Sequence, residues 1–586
     1  MLLGVVGVVA VVLLGLTGYQ ALEARTALER VGTDFDTLRE QLADGDESGA
    51  RTTLAAAQRH ARDAADNTRG PGWWLFSHVP RLGPNVRAVR SVAATADTLA
   101  ADVLPDVIIA STTLRPERLE PVNGRVDLDP IRASAPAVER AASGLATERD
   151  RVHSIDVAPL APQIAAPVRE LQAEIGEAAQ LADRASRAVR LLPDMLGGNG
   201  RRRYLFLFQN NAEIRSTGGI PGAFATLTAD DGKVKLGRQD TAGTIRSSRD
   251  RPLPLSDEEK ALFGSGMGIF PQSVNITPDF PRSGELIAAM YKASTGRSVD
   301  GVVSVDPIAL SHLLVGTGPV RTVRGHTLTA DNVVELLLSS VYEEIPDTSL
   351  QNVFFNAVAR DVFQAVSSGT GSPRAVLRNL ATSASERRLL VWSARPDEQK
   401  VLAPTAVGGG LETRAVDDPQ VGVYFNAALP YKLDYYLDHD TSVVSSRCVN
   451  GRQHLTVTVD LSSRVPDTFR KLSRYVAPDV PQFERGTIVT TMYFFAPLDG
   501  SVRRMTVDGE EQTFTPQPLD GRPVVARTVT VEPGGSSTVT VDVVAGRGQT
   551  GTPDLRVTPG VRSTGLGPVS VSACSEHADE HRVSMR

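Results

Sequence analysis

The stretch Gln209–Gly222, QNNAEIRSTGGIPG, gathers two amides, a carboxylate, a guanidinium and a glycine pair in a short run. Arg215 carries the planar fork that suits phosphate or carboxylate, and glycines behind it can turn backbone N–H groups toward an anion. Glu213 can act as a base, as a metal ligand or as the partner that orients Arg215. Asn210 and Asn211 read as further ligands or as turn formers, and Gly218-Gly219 as a tight bend. A second group lies in SVNITPDFPRSGE, Ser273–Glu285, where Asn275, Asp279 and Arg282 occupy a proline-punctuated loop before a helix. A helix N-terminus is itself an anion site, although Ser283 and Glu285 read more simply as capping. The third group is GRQDTAGTIRSSRD, in which Asp240 is followed by Arg246 and Arg249. If the three groups converge, Asn210, Asn211, Glu213, Arg215, Asp240, Arg246, Asp279 and Arg282 line a cleft for an anionic ligand.

Catalytic templates are missing. There is no G-x-S-x-G elbow, no Walker loop, no H-E-x-x-H and no EF-hand loop. His312 sits in the apolar run PIALSHLLV and reads as a packed histidine. With nine His and two Cys, the chain shows no metal-ligand spacing, so neither a metal site nor a cofactor is expected. The formal charge of −6 removes a global electrostatic case for nucleic-acid binding.

These groups need elements to hold them, and 586 residues exceed one ordinary core. From about Ala21 to Leu192 the pattern is helical and rich in Ala, Arg, Asp and Glu, with breaks at Asp44-Gly45-Asp46 and at Gly70-Pro71-Gly72. Trp73 and Trp74 follow the second break, either at a membrane interface or packed under a loop. At Arg203 the period changes to two: RRRYLFLFQ and PGAFATLTA read as strands, with Arg201–Arg203 as a solvated edge. Asp231-Gly232 is a hairpin turn signal and KVKLGR its partner strand. Helices are predicted near Ser283–Ser294, Pro307–Leu314, Ala330–Tyr342, Leu350–Ser367 and Ser372–Thr382, with a strand at Gly301–Val305. That mixture predicts an α/β or α+β domain. Beyond Val421, regularly spaced strands such as HLTVTVDLSS and STVTVDVVA predict an antiparallel, immunoglobulin-like β-sandwich. The expected organisation is an anchor at 1–22, a helical stalk or bundle at 23–198, an α/β domain at 199–420, a sandwich at 421–575 and a polar tail at 576–586.

Met1–Leu22 has no charged side chain, and about 20 apolar residues span a bilayer core. An uncleaved, membrane-spanning signal anchor is the favoured reading over a cleavable signal peptide or a buried core helix. It places the protein in the cell membrane as a single-pass chain with its bulk extracytoplasmic. Cys448 and Cys574, at the two ends of the β-rich region, then suit a disulfide, with two buried free thiols as the alternative.

The motifs RYLFLFQNNAEIRSTGGIPGAFATL, NITPDFPRSGE, VDGVVSVDPIALSHLLVGTGPV and NAALPYKLDYYL resemble the domain-of-unknown-function family 4012, over roughly residues 200–440. That resemblance implies a membrane-anchored bacterial envelope protein and brings no established activity. A weaker similarity, through VDGVVSVDPIALSHLLVGTGPV, is to the LytR–CpsA–Psr phosphotransferases. It implies arginines, here Arg215, Arg246 and Arg282, around a polyprenyl pyrophosphate, with Asp240 and Asp279 near Mg²⁺. Two functions are therefore expected. One is a module that binds an anionic or glycan-type ligand, or a partner, in cell-surface polysaccharide assembly. The alternative is a phosphotransferase that moves a lipid-linked glycopolymer to an acceptor hydroxyl.

Overall fold

Alanine recurs at helical spacing through the first third of the chain, and side chains this small let helices approach closely. A computed structural model describes residues 2–245, 252–322, 325–414 and 416–574. It divides into two units, Met1–Glu120 with Asp127–Asn199, and Pro121–Val126 with Gly200–Arg586.

The first unit is helical. Its helices are α1 (Leu2–Asp44), α2 (Glu47–Asn67), α3 (Pro71–Phe76), α4 (Gly83–Thr98), α5 (Leu104–Thr113), α6 (Asp129–His153) and α7 (Pro162–Met195). Gly45, at φ 77°, turns α1 back into α2, and the Asp46 side chain caps α2 by accepting from Gly49 N at 2.9 Å. Val31 packs with Ala61, Ala96 and Ala100, a seam of mostly alanine. Between α4 and α5 the chain widens into a π turn, Leu99–Val103, where Pro105 brings no amide to the ladder.

The anchor expectation is overturned here. Leu2 to Leu22 is not a separate element but belongs to α1, and among the described residues no helix is long and apolar enough to cross a membrane. The single-pass placement of the chain falls with it. Past Leu22, α1 alternates Glu23, Arg25, Glu29 and Arg30 with buried Ala24, Ala27 and Val31. Over that stretch the helix is charged on one side and packed on the other, as in a bundle.

The second unit opens on a five-stranded sheet of order β3-β2-β1-β4-β7. Its strands are β1 (Arg202–Arg215), β2 (Gly218–Asp230), β3 (Lys233–Thr241), β4 (Gly301–Val305) and, after the helices below, β7 (Leu389–Ser393). Asp231 and Gly232 both have positive φ, 47° and 75°, which is what a two-residue hairpin between β2 and β3 requires. β4 lies parallel to β1, and the connection to it carries α8 (Asp257–Phe263) and α9 (Phe280–Thr295). Phe280, Leu286 and Ile287 of α9 pack on Leu205, Leu207 and Val302 of the sheet. Arg202 is no solvated edge: it is 1% exposed and donates to Glu398 at 2.6 Å. After β4 come α10 (Pro307–Thr317), a small hairpin β5 (Val320–Arg321) and β6 (Thr327–Leu328), α11 (Val333–Glu335), α12 (Val341–Glu344), α13 (Thr348–Ser367) and α14 (Pro373–Ser385). α15 (Pro396–Leu402) follows β7.

Two further sheets share one core. The first is β14-β15-β11-β8-β17, built from β8 (Gln420–Ala427), β11 (Ile488–Phe495), β14 (Gln517–Leu519), β15 (Arg522–Val531) and β17 (Asp554–Val557). The second is β13-β12-β16-β10-β9-β18, with β9 (Leu437–Val449), β10 (Arg452–Ser463), β12 (Ser501–Val507), β13 (Glu510–Glu511), β16 (Ser536–Val544) and β18 (Leu566–Val569). Val423 and Met492 of one sheet and Val457 and Val541 of the other lie in a single cluster, which also takes in Leu314, Phe354 and Val358 from the helices. The core thus runs across position 420 without a break. The expected antiparallel sandwich needs correction, because β17 runs parallel to β8 and β18 parallel to β9. Both are short strands delivered by long coils, and residue alternation carries no sign of strand direction. A disulfide joins Cys448 to Cys574 across 126 positions of sequence.

Candidate functional site

The polar motif Gln209–Gly222 is the far end of β1 and the start of β2. Pairing between them slips after Phe208 and again between Asn210 and Ile214, so residues 211–213 leave the ladder and the side chains of the motif bond elsewhere. Each does so inward. Gln209 Nε2 donates to Ser304 Oγ at 2.8 Å and its Oε1 accepts from Gly219 N at 2.6 Å. Asn210 Nδ2 donates to Tyr342 Oη at 2.7 Å. Asn211 Nδ2 reaches Asp306 Oδ2 at 3.1 Å, and Glu213 Oε2 accepts from Lys432 Nζ at 2.5 Å. That ammonium also lies 4.6 Å from the Tyr342 ring centroid and 4.9 Å from that of Tyr475, a cation–π arrangement. Gly219 has to be glycine, because a Cβ there would lie 2.4 Å from the carbonyl carbon of Asn210.

Arg215 lies in the same network, with its Nε buried and without a hydrogen-bond partner among the described residues. Its Nη1 donates to the carbonyls of Ala427 at 2.9 Å and Ile214 at 3.2 Å. Burial lowers its pKa, while the nearby Asp434 and Glu213 raise it. Asp434 is 1% exposed and accepts from Ile214 N at 2.9 Å. Burial pushes its carboxyl up to about 8, against the pull of the Ile214 amide and the Arg215 charge. The motif therefore fastens β1 to α10, α12 and the loop before β9.

The other expected ligands lie in separate settings. Asp279 caps α9 through Arg282 N at 3.3 Å and holds Leu411 N at 3.0 Å, with its pKa raised by burial to about 6. Arg282 uses its whole fork on Glu259 (2.7 and 3.1 Å), Glu285 (3.2 Å) and the Pro254 carbonyl (2.6 Å). Asp240, on β3, binds Arg238 at 2.6 Å. Among the described residues, Arg215, Asp240 and Arg282 share no hydrogen-bond partner. Arg246 lies outside the described residues. His312 Nδ1 sits 3.1 Å from Ser383 Oγ. Among the described residues, no group of three or more His, Cys, Asp or Glu is placed to hold a metal ion.

The motif does reach one cleft. Ser216, Thr217, Pro278, Arg387, Leu390, Gly409, Tyr424, Val557 and Pro559 line a recess of about 10 Å³, room for a single water-sized atom. Ser216 is satisfied, donating to the Ile276 carbonyl at 2.6 Å and accepting from Asn426 Nδ2 at 3.0 Å. Thr217 Oγ1 is buried and has no hydrogen-bond partner among the described residues.

Arg387 is the unusual member. It follows α14 at φ 60°, in the left-handed region that a helix normally gives to glycine at this position. Its own amide and that of Arg388 close the helix on the carbonyls of Ala384 (3.1 Å) and Ser383 (2.8 Å). Burial lowers the Arg387 pKa and Arg556 lowers it further, while Tyr424, Asp554 and Asp279 raise it. Among the described residues its guanidinium forms no hydrogen bond or ion pair. The neighbouring Arg388 shows the contrast. It pairs with Asp306 at 2.9 Å and Glu386 at 2.7 Å, donates to the Gly560 carbonyl at 2.8 Å, and is 3% exposed. Sequence reasoning missed Arg387. Its only signal was a charged pair, Arg387-Arg388, wedged between a helix and a buried strand.

Residues 199–342 match the family described as "Protein of unknown function (DUF4012)", so the resemblance carried by the QNNAEIRSTGG and VDPIALSHLL motifs holds over that segment. No curated protein and no solved structure matches the chain.

Proposed function

We propose that the second unit, whose residues 199–342 carry this family's signature, is a binding module that takes the carboxylate of an acidic glycan at Arg387. The observation that carries the reading is a guanidinium held in a left-handed backbone, with no hydrogen bond or ion pair among the described residues, over a cleft that also holds an unpartnered Thr217 hydroxyl. Enclosing a charge without a partner costs stability, and a left-handed arginine adds roughly 1–2 kcal/mol. Both costs are recovered when an oxygen of an anion enters. A recess sized for one water accepts one carboxylate oxygen. The phosphotransferase alternative finds less support, since Arg282 spends its whole fork on the protein itself and Arg215 Nη1 is held by backbone carbonyls.

Arg387→Gly tests the reading, because glycine suits the backbone and removes only the fork. Calorimetric titration of the full chain with oligoglucuronate is expected to show binding by the wild type. The variant should bind at least about tenfold more weakly, as loss of one charge-assisted hydrogen bond implies, with its melting temperature held or raised. Equal affinities, or a variant that melts far below the wild type, would identify Arg387 as a structural residue instead.

A further inference from the structure

We propose that the helical unit carries a second, independent anion site, a pocket for a phosphate ester built from Arg69, Arg87 and Arg90. The pocket lies between the end of α2 and one face of α4, with Thr68 and Ser91 completing its polar lining. Its free volume of about 230 Å³ is far more than the ~10–15 Å³ one water needs on the same measure. Arg87, Arg90 and Ser91 stand at i, i+3 and i+4 on α4, so their side chains share one face and converge on the same space.

The charges in this pocket are incompletely neutralised. Arg69 lies 3.2 Å from Asp66 and 3.7 Å from Asp97, the only carboxylates paired with the three arginines among the described residues. Arg87 Nη1 donates to a neutral acceptor, the Ser77 carbonyl, at 2.7 Å. Arg90 makes no hydrogen bond or ion pair among the described residues, although it is partly buried. Two guanidiniums facing one open pocket without counter-ions repel each other, and a dianionic group between them removes that repulsion while filling their donors. A phosphate ester has the charge and the array of acceptors to do this.

The bond from Arg87 to Ser77 also ties the pocket to the end of α3, a short apolar turn of helix on which Trp74 is 64% and Leu75 48% exposed. A lipid phosphate and a soluble phosphate ester present the same head to the arginines, and the apolar turn is where they would differ.

Calorimetric titration of the full chain separates these sources. One arm uses inorganic phosphate and the other a short-chain phosphatidic acid below its critical micelle concentration, each with wild type, Arg90→Ala and Arg87→Ala/Arg90→Ala. Wild type is expected to bind in at least one arm, and the double variant to bind about tenfold more weakly or worse. Tighter binding of the lipid than of phosphate assigns the ligand to a lipid head, and equal affinities to a soluble ester. Arg90→Ala guards against misfolding, since among the described residues no bond runs through that guanidinium. No binding in either arm, or unchanged affinity in a folded Arg90→Ala variant, overturns the proposal.

Discussion

Asp434 makes the stability of the second unit depend on pH in the direction opposite to an ordinary carboxylate. Its carboxyl is raised to about 8 in the folded chain, chiefly by burial, against about 3.9 when unfolded. Between those values the folded state holds a proton that the unfolded state has released. Stability from this group is therefore complete below the unfolded value and is lost as pH climbs toward 8. The slope is about 1.4 kcal/mol per pH unit inside the window, so raising the pH from 5 to 7 costs about 2.7 kcal/mol, a factor of about 100 in the unfolding equilibrium. Asp434→Asn removes the titration while keeping an oxygen to accept from the Ile214 amide at 2.9 Å. The assay is hydrogen exchange of β1 peptides, comparing variant with wild type at each pH so that the intrinsic exchange rate cancels. The ratio of protection factors, variant over wild type, is expected to rise about 100-fold from pH 5 to pH 7. A ratio flat with pH would refute the reasoning, and would mean that Arg215 holds Asp434 ionised in the fold.

Two further outcomes follow from the same unit. Arg388→Met strands the Asp306 carboxylate in the interior with only Asn211 Nδ2 and Ala309 N as donors. It should cost about 3–5 kcal/mol by urea denaturation, and adding Asp306→Asn should restore much of that; independent, additive losses would deny the pairing. Reducing the Cys448–Cys574 bond, which closes a loop of sequence separation 126, should remove about 5 kcal/mol at most. A melting temperature indifferent to reductant would show that the bond contributes nothing to stability.

Much of the fold was legible because it rests on local pattern. The Asp231-Gly232 turn, the break at Gly45 and the helices α9 and α10 follow from residue types a few positions apart. The motif on β1 stood out as unusual, and its segment does match the family its residues suggested. What the motif does was not legible. Asn210, Asn211 and Glu213 look like ligands in one dimension, yet a bulge turns them into the protein, onto Tyr342, Asp306 and Lys432. A string of apolar residues at the N-terminus likewise has the same composition whether it ends at Leu22 or continues into a packed helix.

By itself the sequence determined periodicity, turns and the supply of arginines, since these depend on neighbours along the chain. Tertiary structure alone decided whether a given arginine finds a partner. Arg215 and Arg282 meet carbonyls and carboxylates brought from distant segments. Arg387 meets a cleft assembled from residues 216–217, 278, 390, 409, 424, 557 and 559. A charge is neutralised by whatever lies within a few ångströms in space, and that set cannot be read from the order of residues.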